Sequence, residues 1–180
     1  EHDMERTSEI YAKYVSTLKK ELLPAMGCTE PIAVAYVAAK ARDVLGVMPE
    51  TVLIQASGNI IKNVKSVVVP NTDDLKGLEA AAAAGVVAGD STKLLEVISH
   101  VTTDQKKEIA AYLNQKRISV EFLDSGIIFD LIVVVRAGAE SARVRIVNEH
   151  TNIVLIEKNG EVITEKPVGC GYSETKADEQ

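Results

Sequence analysis

Gly77, Ala81, Gly85 and Gly89 fall four residues apart in the segment GLEAAAAAGVVAG. In a helix that spacing puts all four on one face, so the segment carries a ridge of small side chains. Glycine costs up to ~1 kcal/mol relative to alanine inside a helix. Propensity therefore does not account for two of them on one stripe, and the ridge predicts that another backbone approaches closely; a substrate or cofactor lying along it is the second reading. A further constraint comes from Ile32 to Leu45, apolar nearly all round (Ile32, Val34, Ala35, Val37, Ala38, Ala39). A helix with that pattern has to be central and buried.

The rest of the chain sorts into helices first and strands last. Residues 8–23 repeat Tyr11, Tyr14, Val15, Leu18 and Leu22 on one helical face, and Pro24 and Gly27 end that helix. Thr51 to Ala56 and Val64 to Val69 are rich in β-branched residues and predict two strands, joined by the polar loop Ser57-Gly58-Asn59-Ile60-Ile61-Lys62-Asn63. After the turn at Pro70-Asn71-Thr72, Thr72 or Asp73 can cap the helix that runs to about Ala88, with Asp73 and Asp74 as helix-start charges. Ser91 caps a helix over 92–101, with His100 near its apolar face, and Thr102-x-x-Gln105 has the form of a capping box for another to about Gln115. Strands are then predicted at Ile118 to Leu123, Ile127 to Arg136, Ala142 to Val147 and Ile153 to Glu157. Asn159-Gly160 is a type I′ hairpin signal returning the chain into Val162 and Ile163. With no βαβ alternation, the order predicts an α+β domain, its helices packed on a mixed, largely antiparallel sheet. That single domain covers residues 1–168, and 169–180 form a polar tail.

Composition narrows the function. Of 180 residues, 46% are hydrophobic and only 4% aromatic, without Trp, so the core is aliphatic and alanine-rich. A net charge of −6 lacks the basic footprint that nucleic-acid binding needs. Runs such as Ile127 to Val135 are too short to span a bilayer, and no segment has the order of a signal peptide. Two cysteines, Cys28 and Cys170, do not make a disulfide framework; the expected location is the cytoplasm, with reduced thiols.

Three segments hold the candidate chemistry. In Gly27-Cys28-Thr29-Glu30-Pro31, Pro31 suits a helix's first turn, Thr29 can be the N-cap, and Glu30 complements the helix dipole. Cys28 then sits at the positive end of a helix, an environment that lowers a thiol's pKa and favours a nucleophile or metal ligand. A small buried hydrophobe is the competing role for a free cysteine. In the second segment, Ser57, Asn59, Lys62 and Asn63 surround Gly58 and could bind a carboxylate or an amino group; a plain hydrophilic connection stands beside that reading. The third is Glu149-His150-Thr151-Asn152 between two predicted strands, where His150 could act as acid, base or ligand, or be a satisfied structural histidine. There is no phosphate-binding glycine loop, HExxH or nucleophile elbow.

These segments, with Val69-Pro70-Asn71-Thr72 and His150-Thr151-Asn152-Ile153-Val154 in order, resemble the N-terminal part of the L-cysteine desulfidase family. That family is similar to the α-chain of iron–sulfur L-serine dehydratases. The resemblance runs from about residue 10 to about residue 165. It implies a [4Fe–4S] lyase that releases sulfide, pyruvate and ammonia from L-cysteine, the cluster's open iron acting as a Lewis acid. Cys28 takes the place of the family's N-terminal cysteine, as cluster ligand or catalytic thiol, with His150 as the other catalytic candidate. Ser57, Asn59, Lys62, Asn63, Asn71, Thr72 and Asn152 become substrate-lining candidates. Family members are more than twice as long, with their other cluster cysteines in the C-terminal half. A cubane takes three or four thiolates, so the expectation is that this chain alone neither holds the cluster nor turns over. The implied partners are a small amino acid, cysteine or serine, and a C-terminal catalytic half or partner subunit; the alanine-rich surface also leaves room for a homodimer. Two readings without a cluster remain: a non-catalytic small amino-acid-binding module, and a thiol enzyme pairing Cys28 with His150.

Overall fold

A computed structural model describes residues 29–168. Its elements, in chain order, are α1 (Thr29–Leu45), β1 (Thr51–Ala56), α2 (Gly58–Val64), α3 (Gly77–Ala88), a 3₁₀ turn (Ser91–Glu96), α4 (Thr103–Asn114), β2 (Ile118–Phe122), β3 (Asp130–Ala137), β4 (Glu140–Val147), β5 (Ile153–Lys158) and β6 (Glu161–Glu165). The strands form one six-stranded sheet in the order β2-β1-β3-β4-β5-β6. Only β1 and β2 run parallel; the other pairs are antiparallel. The fold is α+β on a mixed, mostly antiparallel sheet, as the order of patterns predicts. The predicted helix over 8–23, Cys28, Cys170 and the tail lie outside the described residues.

The ridge of small residues meets α1. A methyl group built on Gly85 would lie 2.2 Å from the carbonyl oxygen of Ala35, and one on Gly89 would lie 2.7 Å from the Ala39 Cβ. Both positions advance by four residues together, so α1 and α3 run parallel with their N-termini side by side. Arg42 completes the pair from α1, donating to the carbonyls of Gly85, Val86 and Gly89 at 3.2, 3.2 and 2.7 Å. A cation at a helix C-terminus satisfies orphan carbonyls and complements the dipole. Around this pair the core is aliphatic: Ala33 to Ala39 of α1, Ala80 to Ala84 of α3, and alternate strand residues such as Val52, Ile54, Leu131, Val133, Val135 and Val144. The other sheet face carries charge pairs, Arg143 with Glu157 at 3.9 Å and Arg145 with Asp130 at 2.6 Å.

Several local expectations are corrected. Ser57–Asn63 is not an open loop: Gly58–Val64 is a helix, because Ile60 and Val64, one turn apart, are both buried. Val64 to Val69 is therefore no strand, and Val68 makes only an isolated bridge to Lys76. The next helix begins at Gly77 with Lys76 as N-cap. Thr72 and Asp73 do not cap it, and Asp73 and Asp74 hold positive φ in the preceding turn. Thr29 is the first residue of α1 rather than its cap. Asp90, not Ser91, caps the segment after α3, and that segment is a 3₁₀ turn containing Leu94 at φ 53°, ψ −117°. His100 lies exposed between that turn and α4 rather than in a helix. The capping box holds, with Thr102 Oγ1 accepting from Gln105 N at 3.1 Å and Gln105 Oε1 from Thr102 N at 2.9 Å. So does the hairpin, where Asn159 and Gly160 both have positive φ, the signature of a type I′ turn.

Candidate functional site

The sheet register collects the candidate segments at one end. Ala56 lies opposite Phe122 and Leu131, Leu131 opposite Ile146, and Ile146 opposite Ile153. The segment after β1 (Ser57 onward) and the β4–β5 connection (His150, Asn152) thus leave the sheet from the same end. The first turn of α1 joins them: Asn63 Nδ2 at the end of α2 donates to Glu30 Oε1 at 3.2 Å. Two of the three motifs, far apart in sequence, are linked by that bond, one residue beyond Thr29 and two beyond Cys28.

Polar groups at the start of α1 are not all satisfied. Thr29 is 7% exposed, and its Oγ1 and the second carboxylate oxygen of Glu30 are buried without a hydrogen-bond partner among the described residues. Burial raises the Glu30 pKa, and the bond from Asn63 pulls it back in part. A carboxylate short of solvent and of donors is a better base and a stronger acceptor for an ammonium group than a surface glutamate. Sequence reasoning treated Glu30 only as a helix-start charge; its burial depends on where α2 comes to lie, which local pattern does not carry.

The other candidates divide by how their polar atoms are used. The Ser57 hydroxyl donates to the Ile128 carbonyl at 2.6 Å, and Asn71 Nδ2 to the Ile98 carbonyl at 2.8 Å. Thr72 Oγ1 donates to Val69 O at 2.7 Å and accepts from Leu75 N at 3.2 Å. These three hold turns together. Asn59 and Lys62 are exposed on α2. In the β4–β5 connection Asn152 Nδ2 bonds the Val147 carbonyl at 3.0 Å, and the His150 ring meets Phe129 edge-on with centroids 5.0 Å apart.

Asp130, which sequence reasoning passed over, braces this end. It is fully buried. Arg145 grips it in a fork, Nε to Oδ1 at 2.9 Å and a terminal nitrogen to Oδ2 at 2.6 Å, and the Ser125 hydroxyl adds a third bond at 2.6 Å. Its backbone carbonyl accepts from Ser57 N at 2.9 Å, and that of Phe129 from Asn148 N at 2.9 Å. The carboxylate thus pins the β2–β3 connection to β4 through Arg145 and Ser125, while the backbone carbonyls of Asp130 and Phe129 hold it against the two candidate segments. The signal in sequence was a single acid inside the apolar run Ile127 to Val135.

A depression of about 310 Å³, lined by Arg42, Asp43, Gly46, Val47 and Met48, lies at the C-terminal end of α1, away from these segments. It holds none of the candidate residues. The donor set for a [4Fe–4S] cluster does not fit this chain: it has two cysteines in all, against the three or four thiolates a cubane takes. Among the described residues no three His, Cys, Asp or Glu side chains converge on a metal position. Also among them, no helix is long and apolar enough to cross a membrane.

The chain is similar to proteins named UPF0597, a name that states no activity. One from Desulfitobacterium hafniense strain Y51 is 56% identical over 160 residues, covering 89% of this chain and 37% of the relative. One from Lachnoclostridium phytofermentans is 46% identical over 159 residues, 88% of this chain and 38% of the relative. One from Treponema denticola is 43% identical over 157 residues, 87% and 36%. No family model matches the chain, and no solved structure matches it. The chain spans a little over a third of the length of the curated relatives it matches.

Proposed function

We propose that this chain is the N-terminal, substrate-binding part of an iron–sulfur-dependent amino-acid lyase that acts on L-cysteine or L-serine, of the L-cysteine desulfidase kind. The observation that carries the reading is the Asn63–Glu30 hydrogen bond, which joins the Gly27–Pro31 motif to the Ser57–Asn63 motif where the resemblance requires one site. Glu30, with a buried oxygen that finds no donor among the described residues, accepts the substrate's ammonium group, and Asn63 holds that carboxylate in place. Exposed Lys62 is within the same short helix and suits the substrate carboxylate. Cys28, two residues before Glu30, and His150 are the catalytic candidates, and Cys28 is the one cluster ligand this segment would contribute. Because two thiols cannot hold a cubane, the remaining ligands and the turnover belong to the rest of a longer polypeptide. In the cell the expected place is the cytoplasm.

The test is anaerobic expression of the full-length Desulfitobacterium relative, with sulfide and pyruvate measured from L-cysteine and L-serine. The 180-residue chain alone is expected to give neither product. Sulfide release by the longer protein, abolished when the cysteine aligned with Cys28 becomes serine, supports the reading. Full activity of that variant, or none in the parent after cluster reconstitution, overturns it. Calorimetric binding of cysteine without turnover in the longer protein would instead identify a non-catalytic amino-acid-binding module.

A further inference from the structure

The end of the sheet that gathers the candidate segments also presents two large apolar side chains to solvent. Phe122 is 64% exposed and Ile128 is 74% exposed. They flank one place. A methyl group built on Gly58 would lie 3.4 Å from the Phe122 ring, and the Ile128 carbonyl is the acceptor of the Ser57 hydroxyl at 2.6 Å. Ile128 is not on a slack loop. The Ser125 hydroxyl ties the connection to Asp130 at 2.6 Å and accepts from Ile127 N at 3.3 Å, while Asn148 holds Phe129 from the other side. An apolar side chain that a braced loop holds in water loses little entropy when a partner covers it, which is the condition for a pre-organised docking surface. Val162 and Ile163, also exposed, lie instead on β6, which among the described strands pairs only with β5.

Something of domain size is available to cover the patch. The chain accounts for 37%, 38% and 36% of three relatives, so more than three-fifths of each lies outside the matched region. We infer that the Phe122–Ile128 patch, bordering Ser57 and Gly58, is the face on which the remainder of the longer polypeptide docks, closing the sheet end that holds His150, Asn152 and the start of α1. The inference stands on exposure and coverage and holds whether or not the lyase reading does.

Amide deuterium exchange on this chain and on the full-length Desulfitobacterium relative tests it. Segments matching 58–62 and 122–129 are expected to exchange at least about tenfold more slowly in the longer protein, while the β6 segment exchanges alike in both. Glutamate at the two positions aligned with Phe122 and Ile128 in the longer protein is expected to restore fast exchange there, with the protection of α1 and β3 retained. Equal exchange of 58–62 and 122–129 in both proteins overturns the inference, as does new protection confined to β6 or to 46–48. Concentration-dependent self-association of this chain that Phe122→Glu removes would overturn it in favour of a second copy.

Discussion

Replacing Gly85 by alanine tests the helix pair on which the core depends. Two effects oppose each other. Alanine favours a helix over glycine by up to ~1 kcal/mol, so in isolation α3 gains. In the folded protein the new methyl would sit 2.2 Å from the Ala35 carbonyl oxygen and 2.9 Å from the Ala35 Cα, all backbone atoms that no rotamer change can move. An ordinary contact needs about an ångström more, so α1 and α3 must separate by that amount along a seam buried on both sides. Overpacking a core costs about 1–3 kcal/mol where side chains can adjust, and here the upper end applies. The net expectation is a loss of about 2 kcal/mol. With a urea slope of about 2 kcal/mol/M, the midpoint falls by about 1 M at unchanged slope. Ala35→Gly does not rescue the variant, because the clash is with a carbonyl. Gly58→Ala, whose methyl would meet only the Phe122 ring at 3.4 Å, is the control and stays within about 0.5 kcal/mol. A Gly85→Ala protein as stable as the parent would refute the parallel register of α1 on α3.

Three further expectations follow from single contacts. Arg145→Met leaves the fully buried Asp130 carboxylate without its ion partner and should cost about 3–5 kcal/mol in urea unfolding; a loss under about 1 kcal/mol would mean that Ser125 alone satisfies it. Thr102→Ala removes one half of the capping box and should cost about 1 kcal/mol, read as a lower thermal midpoint, whereas an unchanged midpoint would show that α4 frays without consequence. Burial raises the Glu30 pKa, so the folded chain binds a proton more tightly there than the unfolded chain does. Stability from this group is then complete below the ordinary glutamate pKa and is lost as pH rises through the folded value. Glu30→Gln should flatten that part of the pH–stability profile, and a parallel profile would remove the burial argument.

Long-range pattern was legible where one physical cause dominates. The stripe of Gly77, Ala81, Gly85 and Gly89 announced close helix packing because glycine has no other advantage inside a helix, and the structure sets Gly85 against the α1 backbone. Asn159-Gly160 announced a hairpin because few residues tolerate two consecutive positive φ values. Misreadings arose where local preference and tertiary demand diverge. The valines of 64–69 favour strands intrinsically, yet Val64 ends α2 and fills the core, and Val68 manages one bridge. Polar Asn59, Lys62 and Asn63 suggested a loop because they form the outer side of a two-turn helix, too short for its apolar side to show a period. The parallel pairing of β2 with β1 links strands separated by three helices, and no local signal reports it.

The candidate site was legible as motifs but not as a site, and the reason is topological. Ser57–Asn63 and His150–Asn152 both follow the end of a strand, where the polar residues of a turn and of a binding site look the same in sequence. What separates them is where their polar atoms go. Ser57, Asn71 and Thr72 use their hydroxyl or amide groups on backbone carbonyls of their own surroundings, so their polarity serves the fold. Among the described residues, Glu30 and Thr29 keep buried oxygens without donors. Buried polar atoms without partners are costly, so these two oxygens mark the first turn of α1 as the place where a donor is most needed. On the proposed reading, ligand binding centres at the first turn of α1 and not in the depression at that helix's other end. Substitutions at Glu30 and Asn63 should change ligand binding by the longer protein, while Arg42→Gln beside the depression should weaken only the α3 C-terminus. If Arg42→Gln abolished ligand binding and Asn63→Ala left it intact, the site would have to be moved to the opposite end of the molecule.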